Sequence, residues 1–262
     1  MLYKYETHLH TSQGSACSTT PGSKMVERLY DLGYSGCFIT DHFFGGNTAV
    51  DRSLPWELKV RLFCQGYEDA KRRGDELGFD VFFGLEYGWN STEFLTYGID
   101  MQFLLDHPEI DNMPIDTFAE LVHQNGGFVV HAHPFREAGY IRVIRLYPRC
   151  IDGVEVYNCG NSDQSFNERA ECYAKSYGIP MTGGSDAHHY WNHPGGGIAL
   201  DEKLTSPHDY LERLRSGRIT EILKRDDSHN LPWPENQWEH TVRPDISKLP
   251  PDVIKAYDKE IK

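Results

Sequence analysis

Short apolar runs recur along the chain, each closed by polar or glycine-rich punctuation and followed by a longer stretch with helical spacing. CFIT (37–40), DVFFGLE (80–86), GFVVHAH (127–133), DGVEVYN (152–158) and IPMTGGSD (179–186) read as buried strands. Between them lie helix candidates. In 21–33, Pro21 stands near the start, Gly33 closes the end, and Met25, Val26, Leu29, Tyr30 and Leu32 recur at helical spacing. The stretches 57–78, 115–127 and 164–178 follow the same plan. Strand alternating with helix predicts an α/β architecture with a parallel sheet, of which a barrel is one form. After about residue 220 the pattern changes to a proline-rich, weakly periodic stretch. Residues 221–262 are expected to be an irregular extension packed on the 1–220 barrel, with Trp233 and Trp238 docking it.

Composition narrows this picture modestly. Hydrophobic residues are 39% and charged residues 25% of the 262, as in ordinary globular proteins. No apolar run approaches the ~20 residues needed to span a bilayer, and the first ten residues do not resemble a signal peptide, so a cytoplasmic protein with no membrane partner is expected. Six scattered cysteines without a CxxC pair read as buried free thiols. A net charge of −13 speaks against nucleic acid as a main partner, but not against a small anionic substrate at a site carrying divalent cations.

The chemistry gathers at strand ends. His8 and His10 are two apart in an apparent first strand. Asp41 and His42 follow CFIT, and Glu86 ends DVFFGLE. His131 and His133 end GFVVHAH, and Asp186 and His188 close IPMTGGSDAH. In α/β barrels such ends converge on one face, where active sites are built. Singly, each has a bland reading: a core histidine, a helix cap, half of an ion pair. Their joint placement is what points to a metal site. Imidazole with carboxylate suits Zn²⁺, Mn²⁺ or Fe²⁺, and Glu86 could bridge two such ions.

At these residues the chain resembles the PHP family, named for polymerases and a histidinol phosphatase. HLHTS (8–12), ITDH (39–42), GLEYG (84–88), the AHP of VHAHPFR (130–136) and SDAH (185–188) appear in the family's order. The resemblance covers roughly 1–220. It implies a distorted (β/α)7 barrel holding two or three divalent metal ions and hydrolysing a phosphate ester by metal-activated water, with a small phosphorylated substrate. By it, His8, His10, Glu86 and Asp186 ligate one metal, Glu86 bridges to a second held by His133, and His42 and His188 match a third position. Arg136 matches a substrate-binding, catalytic arginine. Asp41 or His188 is the candidate proton donor to the leaving oxygen. Two positions depart from the family. Ser15 stands where many members have an aspartate, which predicts a weak third metal, and Glu93 stands where many have a histidine ligand. His131 is either an extra ligand or a residue bonding to one. The FFGGN stretch (43–47) reads as a turn into an insertion shaping the pocket, and His189 and His193 as solvent-exposed loop residues near its rim. Two other readings remain: a C–N or C–O metallohydrolase resembling the amidohydrolases, and a silent metal-binding scaffold.

Overall fold

The structure, a computed structural model, describes residues 2–192 and 195–257. Nine strands form one sheet: β1 (Tyr3–Glu6), β2 (Gly36–Ile39), β3 (Asp80–Trp89), β4 (Thr92–Tyr97), β5 (Phe128–His131), β6 (Gly153–Asn158), β7 (Met181–Gly184), β8 (Ile198–Leu200) and β9 (Glu221–Ile222). Their order is β7-β6-β5-β4-β3-β2-β1-β8-β9. Strands β1, β2 and β3 run parallel, as do β5, β6 and β7, while β4 is antiparallel to both of its neighbours. Beyond the strand ends, Leu9 bridges Ala187 in parallel, with His10 N–H donating to Ala187 O (3.0 Å) and Asp186 N–H to His8 O (2.9 Å). That seam joins β1 to β7, so strands β1 to β7 curl into a nearly closed, distorted α/β barrel.

Helices α1 (Gly22–Asp31), α2 (Trp56–Leu77), α3 (Met101–Asp106), α4 (Ile115–Gln124), α5 (Gln164–Tyr177), α6 (Pro207–Arg215) and α7 (Pro251–Tyr257) connect or cover the strands. Where spacing predicts a helix, an apolar stripe explains it. Met25, Val26 and Leu29 of α1 are buried. Helix α2 ends at Gly78, whose φ of 68° suits glycine.

Strand β4 is absent from the sequence reading. It returns from β3 through Asn90 and Ser91, both at positive φ (51° and 60°), the backbone of a tight hairpin. The first strand ends at Glu6, so His8 and His10 lie just past it rather than in it.

Aromatic side chains plug the end of the barrel where the parallel strands begin. Phe38 packs with Phe82, Tyr97 and Tyr210 at centroid separations of 5.0, 5.0 and 5.2 Å. The opposite end is therefore left to polar groups. Gly184 of β7 lets the seam close, because a Cβ there would lie 2.5 Å from His8 Cβ and 2.6 Å from Glu155 Oε1. Gly184→Ala is expected to cost ~1–3 kcal/mol by overpacking, read as a lower urea midpoint with an unchanged slope. An unchanged midpoint would show that the seam tolerates the methyl group.

The C-terminal extension docks in part through Trp233, whose ring meets that of Trp191 edge-on at a centroid separation of 5.8 Å. Trp233 and Trp238 are 67% and 52% exposed. Leu249 and Val253 are buried instead, in the cluster that contains Phe43 and Phe118. Arg243 donates to the carbonyls of Ser12, Ser15 and Ala16, and Val242 exchanges hydrogen bonds with Ser12. The extension thus straps the loop after β1. No described helix is long and apolar enough to cross a membrane. The cysteines are free, and Cys37, Cys64 and Cys159 are buried as expected, but Cys17 and Cys150 are half-buried and Cys172 is exposed.

Candidate metal centre

Backbone pairing delivers the donors to one place. Past β2, His42 bridges Glu86 of β3, with Glu86 N–H donating to Asp41 O and Phe43 N–H to Glu86 O, each at 2.9 Å. The seam sets His8 and His10 beside Asp186. The hairpin register puts Glu93 across from Gly88, and His133 follows β5. Ligand atoms fall into four overlapping groups, each within 4.8 Å: His8, His10 and Glu86; His8, His133 and Asp186; His42, Glu86 and Glu93; His10, His42 and His188. Every expected metal residue except His131 is in this cluster. His133 and Asp186 have φ of 26° and 58°, strained values for residues with side chains.

The tautomers are prepared for ligation. His8 Nδ1 pairs with Glu155 Oε1 at 2.9 Å, His10 Nδ1 with Ser15 Oγ at 3.0 Å, and His188 Nδ1 with Asp186 O at 2.8 Å. With Nδ1–H donating in each case, Nε2 keeps its lone pair. His8 Nε2 and His10 Nε2 then face each other at 3.1 Å, with Glu86 Oε1 3.3 Å and Asp186 Oδ1 3.4 Å from the former. Lone pairs and carboxylates so close, and buried, require a positive charge among them. Protons answer that need in part. Burial opposes it, but Asp186, Glu155 and Glu86 hold the His8 pKa well above the usual imidazole value, and Glu86 does the same for His42. Burial would raise Glu86, yet His42 and His8 hold it well below the usual carboxylate range. A divalent cation fits this donor set.

A cavity of 620 Å³ opens over the cluster. The 45–47 turn, the Trp89–Glu93 hairpin and Tyr140 wall it, with His42, His133, Asp186 and His188 among the residues lining it. Arg136 lies on the wall. Its Nη2 donates to Asp186 Oδ2 (2.7 Å) and Asn158 Oδ1 (2.9 Å), and its Nε to Asn161 Oδ1 (3.0 Å). Burial alone would lower its pKa, but the Asp186 carboxylate raises it.

Three sequence readings are corrected by this geometry. His131 lies apart from the clustered donors: it stacks on Phe94 at 5.0 Å, neither ring nitrogen has a hydrogen-bond partner, and burial lowers its pKa to about 3. The two histidines that end GFVVHAH do not share a face, because β5 ends at His131 and the backbone turns at His133. Asp41 is not placed to protonate a leaving group. It does not line the cavity, and it accepts from Thr11 N (2.6 Å), Thr11 Oγ1 (2.6 Å) and Ser15 Oγ (2.7 Å), while burial lifts its pKa to about 6. Ser15 is not an empty ligand position but a link from Asp41 to His10. Ser15→Ala is therefore expected to weaken metal binding ~10–100-fold in a chelator competition, by freeing the His10 ring. Ser15→Asp, which sets a second carboxylate against Asp41, is expected to destabilise the fold.

Glu155 and Cys17 escaped the sequence reading. A lone glutamate in the apolar run GVEVY was the signal for Glu155. Cys17 carried none, since its place follows from the loop. Burial raises its thiol, but His188 and His42 bring it down to about 6. His189 is half-buried, pairing with Thr19 Oγ1 (2.8 Å) and stacking on Trp191. His193 lies outside the described residues.

Residues 164–219 match the PHP_C family, described as PHP-associated. No curated protein matches the chain. Among solved structures, a two-domain protein of Bacteroides vulgatus with an inferred PHP-like metal-dependent phosphoesterase part is similar, at 15% identity and TM-score 0.63. The match covers 83% of this chain and 64% of that one, so the chain spans under two thirds of its length. A proposed metal-dependent phosphoesterase of Bifidobacterium adolescentis is 16% identical with TM-score 0.50, over 84% and 97% of the two chains. Endonuclease Q, bound to a 27-mer duplex with an abasic lesion at its active site, is 13% identical with TM-score 0.55, over 86% of this chain and 58% of that one. The barrel is thus similar in fold to these PHP-like proteins, and residues 164–219 carry the PHP-associated segment.

The endonuclease corrects one expectation. Net charge speaks against nucleic acid as a main partner, yet a protein of similar fold holds a DNA duplex with the lesion at its active site. Whole-chain charge is a poor guide where bound cations set the sign of the site itself.

Proposed function

We propose that the chain is a metal-dependent phosphoesterase. The observation that carries this reading is the Arg136 guanidinium, planted on the cavity wall beside a buried cluster of metal-ligand side chains. His8, His10, Glu86, Asp186 and His133 would hold two divalent ions with Glu86 between them, and His42, His188 and Glu93 would complete the cluster. Such ions activate water and neutralise phosphate oxygens. Arg136 would bind a nonbridging phosphate oxygen, and its bonds to Asn158 and Asn161 would hold the fork in place. His188, on the cavity wall with Nδ1 donating to the Asp186 carbonyl, would offer its Nε2 lone pair to the cluster, which leaves it no proton for the leaving oxygen.

The test is a panel of phosphomonoester, phosphodiester, abasic-site DNA and amide substrates with added Mn²⁺, Zn²⁺ or Fe²⁺. Turnover of a phosphate ester, lost on chelation and restored by metal, is expected. Turnover of the amide alone would overturn the reading in favour of a C–N hydrolase, and no turnover on any substrate would favour a silent scaffold.

Metal affinity should also depend on pH. The His8 and His42 pKa values are held up in the metal-free protein, so protons compete with the cation into the neutral range. Affinity is expected to go on rising with pH above the ordinary imidazole value of about 6.5, because the raised groups release their protons only there, as calorimetric titration would show. A flat profile would mean that protonation of these imidazoles is not coupled to binding.

A further inference from the structure

The loop 134–149, between β5 and β6, reverses the charge of the chain. The whole sequence has 39 acidic against 26 basic side chains, yet this loop holds Arg136, Arg142, Arg145 and Arg149 against one carboxylate, Glu137. That carboxylate is taken by Arg169 of α5 at 2.8 Å, and Arg136 is held by Asp186. Among the described residues, no carboxylate pairs with Arg142, Arg145 or Arg149, and Arg142 and Arg149 are exposed. Arg145 donates instead to Asn90 O (2.8 Å), which ties the loop to the hairpin walling the cavity. Apolar side chains share this basic loop with the solvent: Tyr140 is 54%, Val143 52% and Leu146 39% exposed. Three in one loop mark a contact surface rather than scattered exposure. The loop also leads inward. Tyr140 and Arg136 line the 620 Å³ cavity over the histidine cluster, and Arg136, Arg142 and Val143 line a neighbouring hollow of 630 Å³. Arg136 is common to both.

We propose that this loop binds a single-stranded polynucleotide, with Arg142 and Arg145 on backbone phosphates and Tyr140 stacked on a base at the cavity mouth. The inference rests on the phosphoesterase reading and narrows its substrate class to the phosphodiesters of a nucleic-acid strand. Guanidinium forks match phosphate oxygens, and an aromatic face takes any base. A single strand fits better than a duplex, because only an unpaired base can leave its neighbours and reach Tyr140. Exposed apolar and basic side chains would also suit an anionic bilayer. The strand is favoured because the loop is continuous with the cavity, and a flat bilayer has nothing to send into it.

The probe is a short fluorescent oligothymidylate with phosphorothioate linkages, which resist cleavage. Polarisation is expected to show binding that weakens steeply with added salt, since each phosphate contact releases counterions. Arg142→Ala should weaken it about tenfold and flatten the salt slope by about one unit. Tyr140→Ala should weaken it about fivefold or more, and Tyr140→Phe, which keeps the stacking face, should restore most of the affinity. Arg218→Ala should change neither, since its neighbour Ile219 packs on the aromatic plug at the other end of the barrel. In the wild type, bound strand should slow tryptic cleavage after Arg142, read by peptide mass spectrometry. Absent or salt-independent binding, an Arg142→Ala affinity equal to the wild type's, or unslowed cleavage overturns the proposal. Capture of phosphatidylserine vesicles without oligonucleotide binding would overturn it in favour of a membrane surface. Neither readout depends on turnover. Strand binding without hydrolysis of any phosphate ester would sink the phosphoesterase reading and leave this surface standing, and ester hydrolysis without strand binding would do the reverse.

Discussion

Glu86→Ala is expected to abolish hydrolysis, lowering kcat/KM about 10³-fold, and to release metal from more than one position. Glu86 is the one residue shared by the His8/His10 group and the His42/Glu93 group. A bound cation supplies several kcal/mol of charge stabilisation, and each 1.36 kcal/mol is tenfold in rate. The carboxylate also offsets the positive charge of His8 and His42, so its removal leaves buried imidazoles in mutual repulsion. Glu86→Gln keeps the volume and separates that effect from packing. Metal content by mass spectrometry and kinetics on the best ester of the panel would decide. A glutamine variant with full metal and full rate would show that Glu86 only shapes the pocket.

Arg136→Ala should act in two ways that one experiment can separate. If the guanidinium grips phosphate, losing a charged hydrogen bond worth ~1.5–3 kcal/mol lowers kcat/KM by roughly 10- to 150-fold. Because Nη2 also donates to Asp186 Oδ2, metal affinity should weaken in the same variant. Arg136→Lys should recover metal binding more fully than catalysis, since it keeps the charge near Asp186 but loses the planar fork. Alanine kinetics unchanged at saturating metal would remove Arg136 from substrate binding.

The parts of the fold legible in the sequence are those in which burial is continuous. Strands β2, β3, β5, β6 and β7 are apolar runs with glycine or polar stops, so both faces announce themselves. Strand β4 alternates Thr92, Phe94 and Thr96 with Glu93, Leu95 and Tyr97. It is held by a hairpin turn whose positive φ values fall on Asn and Ser rather than on an Asn-Gly pair. At the candidate metal centre, the clustered residues are visible by type and by position at strand ends. What escaped depends on contacts across the barrel. Glu155 matters because β6 sets it under His8, and Cys17 because its loop folds toward His42 and His188. His131 lies outside the cluster for the opposite reason, since spacing alone cannot show that the strand stops at His131 and the backbone turns before His133. In the extension, Trp233 does meet Trp191, but the smaller Leu249 and Val253, which carry no such signal of size, are the buried residues.

The seam between Leu9 and Ala187 also governs timing. Contacts so distant along the chain form late, because their loop must close before they repay its entropy. His8 and His10 come from one side of that seam and Asp186 from the other, so no partly folded intermediate with the barrel open has the complete cluster. Metal capture therefore reports the final act of folding rather than an early nucleus. In a refolding experiment, cation present from the start should leave the folding rate nearly unchanged and slow unfolding, the kinetic mark of a bond absent from the transition state.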